Sequence, residues 1–345
     1  MLISRDIAII GSGAWGTALA IHAARLGWSA RLWARRPELA EKIQNTRENE
    51  AFLPGFSLPP EVTVISDPAQ AVTGAGLVIW VVPSHGLRDV ARLFRPFLNP
   101  KTILMSATKG IEDNTYSSMT QILAQECAQD TPIGAMSGPS FAREVAQGLP
   151  TAVTVAFRDA AVAKTIQSLL SAPVYRIYTS QDVTGVELGG AMKNVYAIAA
   201  GVCDGLSLGY NARAAFLTRS LAEMTRLAAA MGANPLTLSG LSGLGDLMLT
   251  ATGDLSRNRK VGLRLGAGES LADILANQRA VAEGVNNARS IWGLAQAKNL
   301  ILPTAREIYR VLHEGKDPRQ GLVDLLTRRL KDELAPDLIP KSLTH

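Results

Sequence analysis

Two lysines stand where a charge is out of place. Lys193 is the one charged residue in GGAMKNVYAIAAG, Gly189 to Gly201, a stretch of small and apolar residues that reads as a single helix. Small residues admit close approach by neighbouring backbone or by a ligand, so this ammonium falls in a tight, partly dry place. Desolvation disfavours the charged form of lysine and draws its pKa down toward neutrality, where a general acid works best. The alternative is a lysine that runs its stem along an apolar face and keeps its head in water. Lys109, in ATKG, follows the apolar run KTILMSA and so lies just past the end of a strand.

Those lysines need a frame. DIAII, ARLWA, VTVIS, GLVIWVV, KTILMSA and PIGAMS read as six strands separated by helical patterns, and GLVIWVV is apolar enough to be buried on both faces. The first helix shows Trp15, Leu19, His22 and Leu26 at helical spacing and stops at Gly27. This rhythm predicts an α/β fold with a parallel, doubly wound sheet of the Rossmann type, which TAVTVAF and VYRIYTS extend. From about Ser180 the strand signals stop. Helical patterns follow near residues 181–203, 212–231, 257–266, 286–298, 304–314 and 318–332. Gly232 and Gly266 suit C-caps, and Pro303 suits a helix start. The chain divides into a dinucleotide-binding domain, 1–180, and an all-helical substrate and catalytic domain, 181–345.

GSGAWG, opening the first helix directly after the first strand, fits G-x-G-x-x-G. Gly11 makes the tight turn, Gly13 lets the backbone approach a pyrophosphate, and Gly16 lets helix and strand pack closely. Ala14 and Trp15 lie within the same loop and belong with the cofactor. At the end of the second strand an NAD-specific fold places an acid to hold the ribose 2′-hydroxyl. Here LWARRP puts Arg35 and Arg36 there, two guanidiniums suited to a 2′-phosphate. The expected cofactor is NADPH, with NADH as the alternative. In an open α/β sheet the crevice lies at the carboxyl ends of the strands, which gathers PSH, ATKG and SGPS at one place.

Composition narrows the partners. The chain has 345 residues, 47% of them hydrophobic and 19% charged, with a net charge of +5. That balance asks for an anion. No block of five or six basic residues appears and aromatics are sparse, so a small anionic ligand is expected rather than nucleic acid. Two cysteines, Cys127 and Cys203, and four scattered histidines give no metal-ligand spacing. The longest apolar run, GLVIWVVP, falls short of the ~18 residues a spanning helix needs. The expectation is a cytoplasmic protein with no membrane insertion.

GSGAWGTALA, VVPSH, ATKGIE, SGPSFAREVAQGLPTA, GVELGGAMKNVYAIAAG, NARAAFLTRSLAEM, GLGDLMLT, SRNRKVG and VAEG stand in order between about residues 6 and 335. Together they resemble the bacterial NAD(P)-dependent glycerol-3-phosphate dehydrogenases. The resemblance implies reversible reduction of dihydroxyacetone phosphate to sn-glycerol 3-phosphate, the backbone precursor of phospholipids, and a homodimer. It makes Lys193 the proton donor and acceptor and places Lys109 against both cofactor and substrate. It assigns Gly138, Ser140, Asp246, Ser256, Arg257 and Asn258 to the substrate. It assigns Ala142, Arg257, Val281 and Glu283 to the cofactor. Asp246 would hydrogen-bond Lys193 or a substrate hydroxyl.

The sequence departs from the family pattern at Ala14, where serine is common, and in DGLSLGYN, residues 204–211. Hydroxy-acid dehydrogenases of similar build place asparagine four residues after their lysine. Here position 197 is alanine and the asparagine is adjacent, Asn194. A nucleotide-sensing regulator without chemistry would lack Lys193 or Asp246, and both are present.

Overall fold

A computed structural model describes residues 5–127, 131–276, 282–330, 332 and 333. Eight strands form one sheet: β1 Asp6–Ile10, β2 Ser29–Trp33, β3 Val62–Ile65, β4 Leu77–Trp80, β5 Ile103–Ser106, β6 Ile133–Ser137, β7 Thr151–Phe157 and β8 Tyr175–Ser180. Their order is β3-β2-β1-β4-β5-β6-β7-β8, so the winding reverses between β1 and β4. Seven helices cover the two faces: α1 Ala14–Arg25, α2 Pro37–Thr46, α3 Pro68–Val72, α4 Leu87–Phe94, α5 Met119–Glu126, α6 Ala142–Gln147 and α7 Ala160–Leu170. The strand period of two decides which face each residue serves. Ile7, Ile9, Leu32 and Ile79 join the core with α1, α2, α6 and α7. Ala8, Ile10, Val78 and Trp80 join the one with α3, α4 and α5.

The sheet is parallel from β3 through β6, as the βαβ rhythm predicts, but β7 pairs with β6 antiparallel. The connector explains the reversal. A parallel crossover must carry the chain back along the length of a strand, roughly 17 Å for five residues. The six residues of α6 rise only roughly 9 Å. The chain therefore turns back from the end at which β6 finished. The eleven residues of α7 rise roughly 16 Å, and β8 duly pairs parallel to β7.

Beyond Ser180 the described chain is helical: α8 Val183–Gly205, α9 Gly209–Ala230, a 3-10 turn Pro235–Ser239, a π turn Leu241–Gly245, α10 Asp246–Thr252, α11 Arg257–Gly266, α12 Leu271–Ala276, α13 Glu283–Ala297, α14 Pro303–His313 and α15 Pro318–Leu326. The π turn, α10 and α12 are too short to show a hydrophobic period, and the sequence gives no sign of them. The 204–211 segment is mostly helical, broken only by a turn in which Ser207 takes φ +57°. Pro303 is the first residue of α14, where a missing N–H costs nothing. Gly232 takes φ +80° one residue past the C-cap of α9.

Gly266 is not the expected cap. It is the last helical residue of α11, and the left-handed residue is Gly268, at φ +96°. Gly266 serves a helix crossing instead: a Cβ there would lie 2.6 Å from the Val202 carbonyl oxygen of α8. Gly262 meets Ile198 O at 1.8 Å on the same criterion, and Gly201 and Gly205 face α11 in return. The small residues of α8 thus bring two helix backbones into contact, and α8 is buried continuously from Gly185 to Cys203.

Candidate active site

The glycine loop has the geometry its spacing predicts. Gly11 sits at φ +122°, and a Cβ there would lie 2.5 Å from Val81 O on β4's exit. A Cβ on Gly16 would lie 1.9 Å from Gly11 O, so helix and strand touch there. Above Gly13 nothing lies within 4 Å of a built Cβ. Gly13 is also the N-cap of α1 and supplies no side-chain cap, which leaves first-turn N–H groups for an anion. These residues fit a dinucleotide: open backbone donors at a helix N-terminus beside the β1/β4 reversal. Ala14 and Trp15 form the first turn of α1 and pack on its core face. Arg35 and Arg36 follow β2, both exposed, with Arg36 as the N-cap of α2.

α8 carries Lys193 into a buried cluster. Its Nζ donates to Asp246 Oδ1 at 2.8 Å and to Thr250 Oγ1 at 2.7 Å. Lys109, three residues past β5, donates to the other oxygen, Asp246 Oδ2, at 2.5 Å and to the Gly138 carbonyl at 3.1 Å. One carboxylate, 1% exposed, therefore holds two ammoniums from separate parts of the chain. Asp246 is the first residue of α10, and the π turn before it packs on Gly189, where a Cβ would meet Ser242 O at 2.4 Å. Thr250, one turn on, donates its hydroxyl to the Asp246 carbonyl oxygen at 2.7 Å while accepting from Lys193.

Burial pushes the Lys193 ammonium down to about 8, with Lys109 assisting and Asp246 opposing. Burial alone would raise the Asp246 carboxyl, but the two lysines hold it below the usual carboxylate range. The cluster contains a lysine poised to exchange a proton near neutrality and a carboxylate that stays ionised. Glu283, the first residue of α13, is pushed by burial up to about 7 against the pull of Arg257, Lys193 and Lys109, and a backbone N–H of Ser84 steadies its charge.

The remaining expected residues fall around this centre. Gly138 takes φ +145° against Val153, and its carbonyl accepts from Lys109 and from Ser140 Oγ. Ala142 opens α6. Ser256 is the N-cap of α11, accepting from Arg259 N at 3.1 Å. Asn258 works inside the protein: it donates to Asn194 Oδ1 at 2.8 Å and accepts from Gly284 N at 3.0 Å. Arg259 is committed to Asp204 and Asp254, so Arg257 is the exposed cation of SRNR. Val281 lies outside the described residues. The sequence reading missed Thr250 and Asn287. Thr250 was legible as i+4 from Asp246, on the same helix face. Asn287 lies 1% exposed and donates to the carbonyls of Lys109 and Ala191, each at 3.3 Å, with no motif to mark it.

Among the described residues, no helix is long and apolar enough to cross a membrane. Two family models match the chain: NAD-dependent glycerol-3-phosphate dehydrogenase N-terminus over residues 6–163, and the C-terminus of the same family over 182–323. Glycerol-3-phosphate dehydrogenase [NAD(P)+] of Desulfotalea psychrophila is 50% identical over 336 residues, covering 96% of this chain and 99% of its own. That of Geobacter sulfurreducens is 48% identical over 333 residues, with the same coverage. The crystal structure of glycerol-3-phosphate dehydrogenase from Coxiella burnetii superposes with a TM-score of 0.91 at 38% identity, covering 94% of this chain and 99% of that one.

Proposed function

Because the chain belongs to the NAD-dependent glycerol-3-phosphate dehydrogenase family, and is therefore an NAD(P)-dependent oxidoreductase that reduces dihydroxyacetone phosphate to glycerol 3-phosphate, we propose how its own residues do this work. Reducing a ketone requires a hydride at carbon and a proton at the oxygen that becomes an alkoxide. The bound nicotinamide supplies the hydride. Lys193 supplies the proton from Nζ and takes it back in the reverse direction. Lys109 steadies the developing oxyanion, and Asp246 holds the two lysines at a fixed spacing. Arg257 reads the substrate phosphate at the N-terminus of α11, where the helix dipole favours an anion. Glu283 belongs to the wall on the cofactor side, and Arg35 and Arg36 favour NADPH over NADH.

The observation that supports this most is the shared carboxylate: Lys109 and Lys193 on the two oxygens of a buried Asp246. A structural lysine needs one partner and water. Two lysines converging on one buried acid beside an open glycine loop make a positive, dry pocket suited to an anionic carbonyl substrate. The same reading divides the chain at residue 180 and supplies glycerophospholipid synthesis from the cytoplasm as a homodimer, the last three resting on family likeness.

The test is NADPH oxidation with dihydroxyacetone phosphate, unphosphorylated dihydroxyacetone and a set of 2-keto acids. Turnover confined to the phosphorylated ketone is expected. Faster turnover of a 2-keto acid would overturn the substrate assignment.

A further inference from the structure

The glycine loop is held from below by a residue the loop's own motif does not contain. Asn49 lies in RENEAFLPG, a segment that leaves α2 through the left-handed Arg47 and closes through an antiparallel bridge between Glu48 and Ser57. Its side chain is fully buried. Nδ2 donates to the Ser12 carbonyl at 2.8 Å and to Thr17 Oγ1 at 2.8 Å. Thr17 in turn donates its hydroxyl to the Gly13 carbonyl at 2.9 Å, beside the first helical bond from Thr17 N at 3.0 Å. The direction of this chain is fixed, because a carbonyl only accepts. The amide must therefore turn its NH2 toward the loop, and its Oδ1 is left buried without a partner. An unpaired buried acceptor is costly, and what it accompanies here is one donated bond to the loop and one to Thr17 on α1.

We propose that Asn49 is a positioning residue for dinucleotide binding: it draws the Ser12 and Gly13 carbonyls inward and so aims the next two amides outward. Across a trans peptide the C=O and the following N–H point in opposite directions. Anchoring the oxygens of residues 12 and 13 turns the N–H groups of Gly13 and Ala14 away from the protein. A Cβ built on Gly13 would meet nothing within 4 Å, so a ligand has room to approach this backbone. Glycine supplies the room, and Asn49 supplies the orientation. This role rests on the dinucleotide reading and adds to it a residue that touches neither cofactor nor substrate.

Asn49→Asp keeps the volume, removes the donor and sets a carboxylate oxygen against Ser12 O. Calorimetric titration with NADPH and with NADH should show both Kd values raised about tenfold, by the same factor, since a lost hydrogen bond to a fixed loop acts on every phosphate alike. Hydrogen exchange at the amides of residues 12–17 should quicken. The kcat at saturating cofactor should stay within about twofold, because the lysine cluster is untouched. Thr17→Val removes the relay to Gly13 and leaves the bond to Ser12, so Kd should rise about two- to fourfold. A purely structural Asn49 would lower Tm and leave Kd and loop exchange unchanged, which overturns the proposal, as does a loss confined to NADPH. Should Asn49→Asp fail to fold, Thr17→Val decides by the same two readouts. Failure of the parent protein to bind either dinucleotide would sink the dinucleotide reading itself. Parental binding with an unaltered variant sinks only the role of Asn49.

Discussion

The glycine loop and the lysine cluster are built in opposite ways. The loop works through what is missing: no Cβ at Gly11, Gly13 or Gly16, and no side-chain cap on the first-turn N–H groups of α1. The cluster works through long side chains, brought from α8 and the loop after β5 onto a single carboxylate of α10. Backbone donors cannot change charge, so the loop can hold an anion but cannot move a proton. The ammonium of Lys193, drawn down to about 8, can do both. Binding of the cofactor and chemistry on the substrate should therefore be separable by substitution.

The sharpest break comes from Lys193→Ala. Removing a positioned acid costs about 10²–10⁴ in kcat, while Kd for NADPH, measured by titration, should hardly change. A fall in cofactor affinity as large as the fall in kcat would merge the two regions. Next is Arg257→Ala. A hydrogen bond to a charged group is worth about 1.5–3 kcal/mol, so kcat/KM for dihydroxyacetone phosphate should drop about 10- to 150-fold. The unphosphorylated ketone should be spared, and equal proportional losses would show that Arg257 does not read phosphate.

The pH profile sharpens the same contrast. The proposed mechanism needs a protonated Lys193 for reduction, and that form is lost as pH rises through about 8, so kcat for reduction should fall there and kcat for oxidation should rise. Asp246 raises the Lys193 pKa, so Asp246→Asn should move both midpoints to lower pH. Midpoints that stay in place would remove Lys193 from the titration. The smallest effect belongs to the cofactor side. Replacing the exposed Arg35 and Arg36 with alanine should reduce the NADPH preference over NADH by about tenfold, one charged contact's worth at a solvated site. Equal weakening of both cofactors would contradict the 2′-phosphate reading.

Legibility in the sequence follows the same divide. The loop is contiguous, and each glycine's task is stated by its spacing, so Gly11, Gly13 and Gly16 could be read directly. The cluster is scattered over residues 109 to 250, and no local pattern links Asp246 to either lysine. The two lysines stood out by their settings, Asp246 came from the family resemblance, and Thr250 escaped both. Strand existence was legible for all eight strands. The direction of β7 was not, because it depends on how far α6 can carry the chain rather than on any residue within β7. Asn49 and Asn287 were illegible for a related reason: each acts on main-chain atoms far away in sequence, and a carbonyl has no signature.

The crossing of α8 and α11 also bears on how this protein can change over generations. Gly201, Gly205, Gly262 and Gly266 each face backbone at a distance that leaves no room for a methyl group. Such positions are closed to drift, since the neighbouring atoms belong to a main chain and cannot rotate aside. The crossing joins the helix that carries Lys193 to the one that begins at Arg257. The separation between Lys193 and Arg257, the proposed proton donor and phosphate reader, is thus inherited as a backbone-to-backbone dimension. α8 is buried along its length, whereas exposed positions of α11 such as Lys260 and Leu263 remain free to vary, so a lineage can rewrite its surface without resetting that dimension.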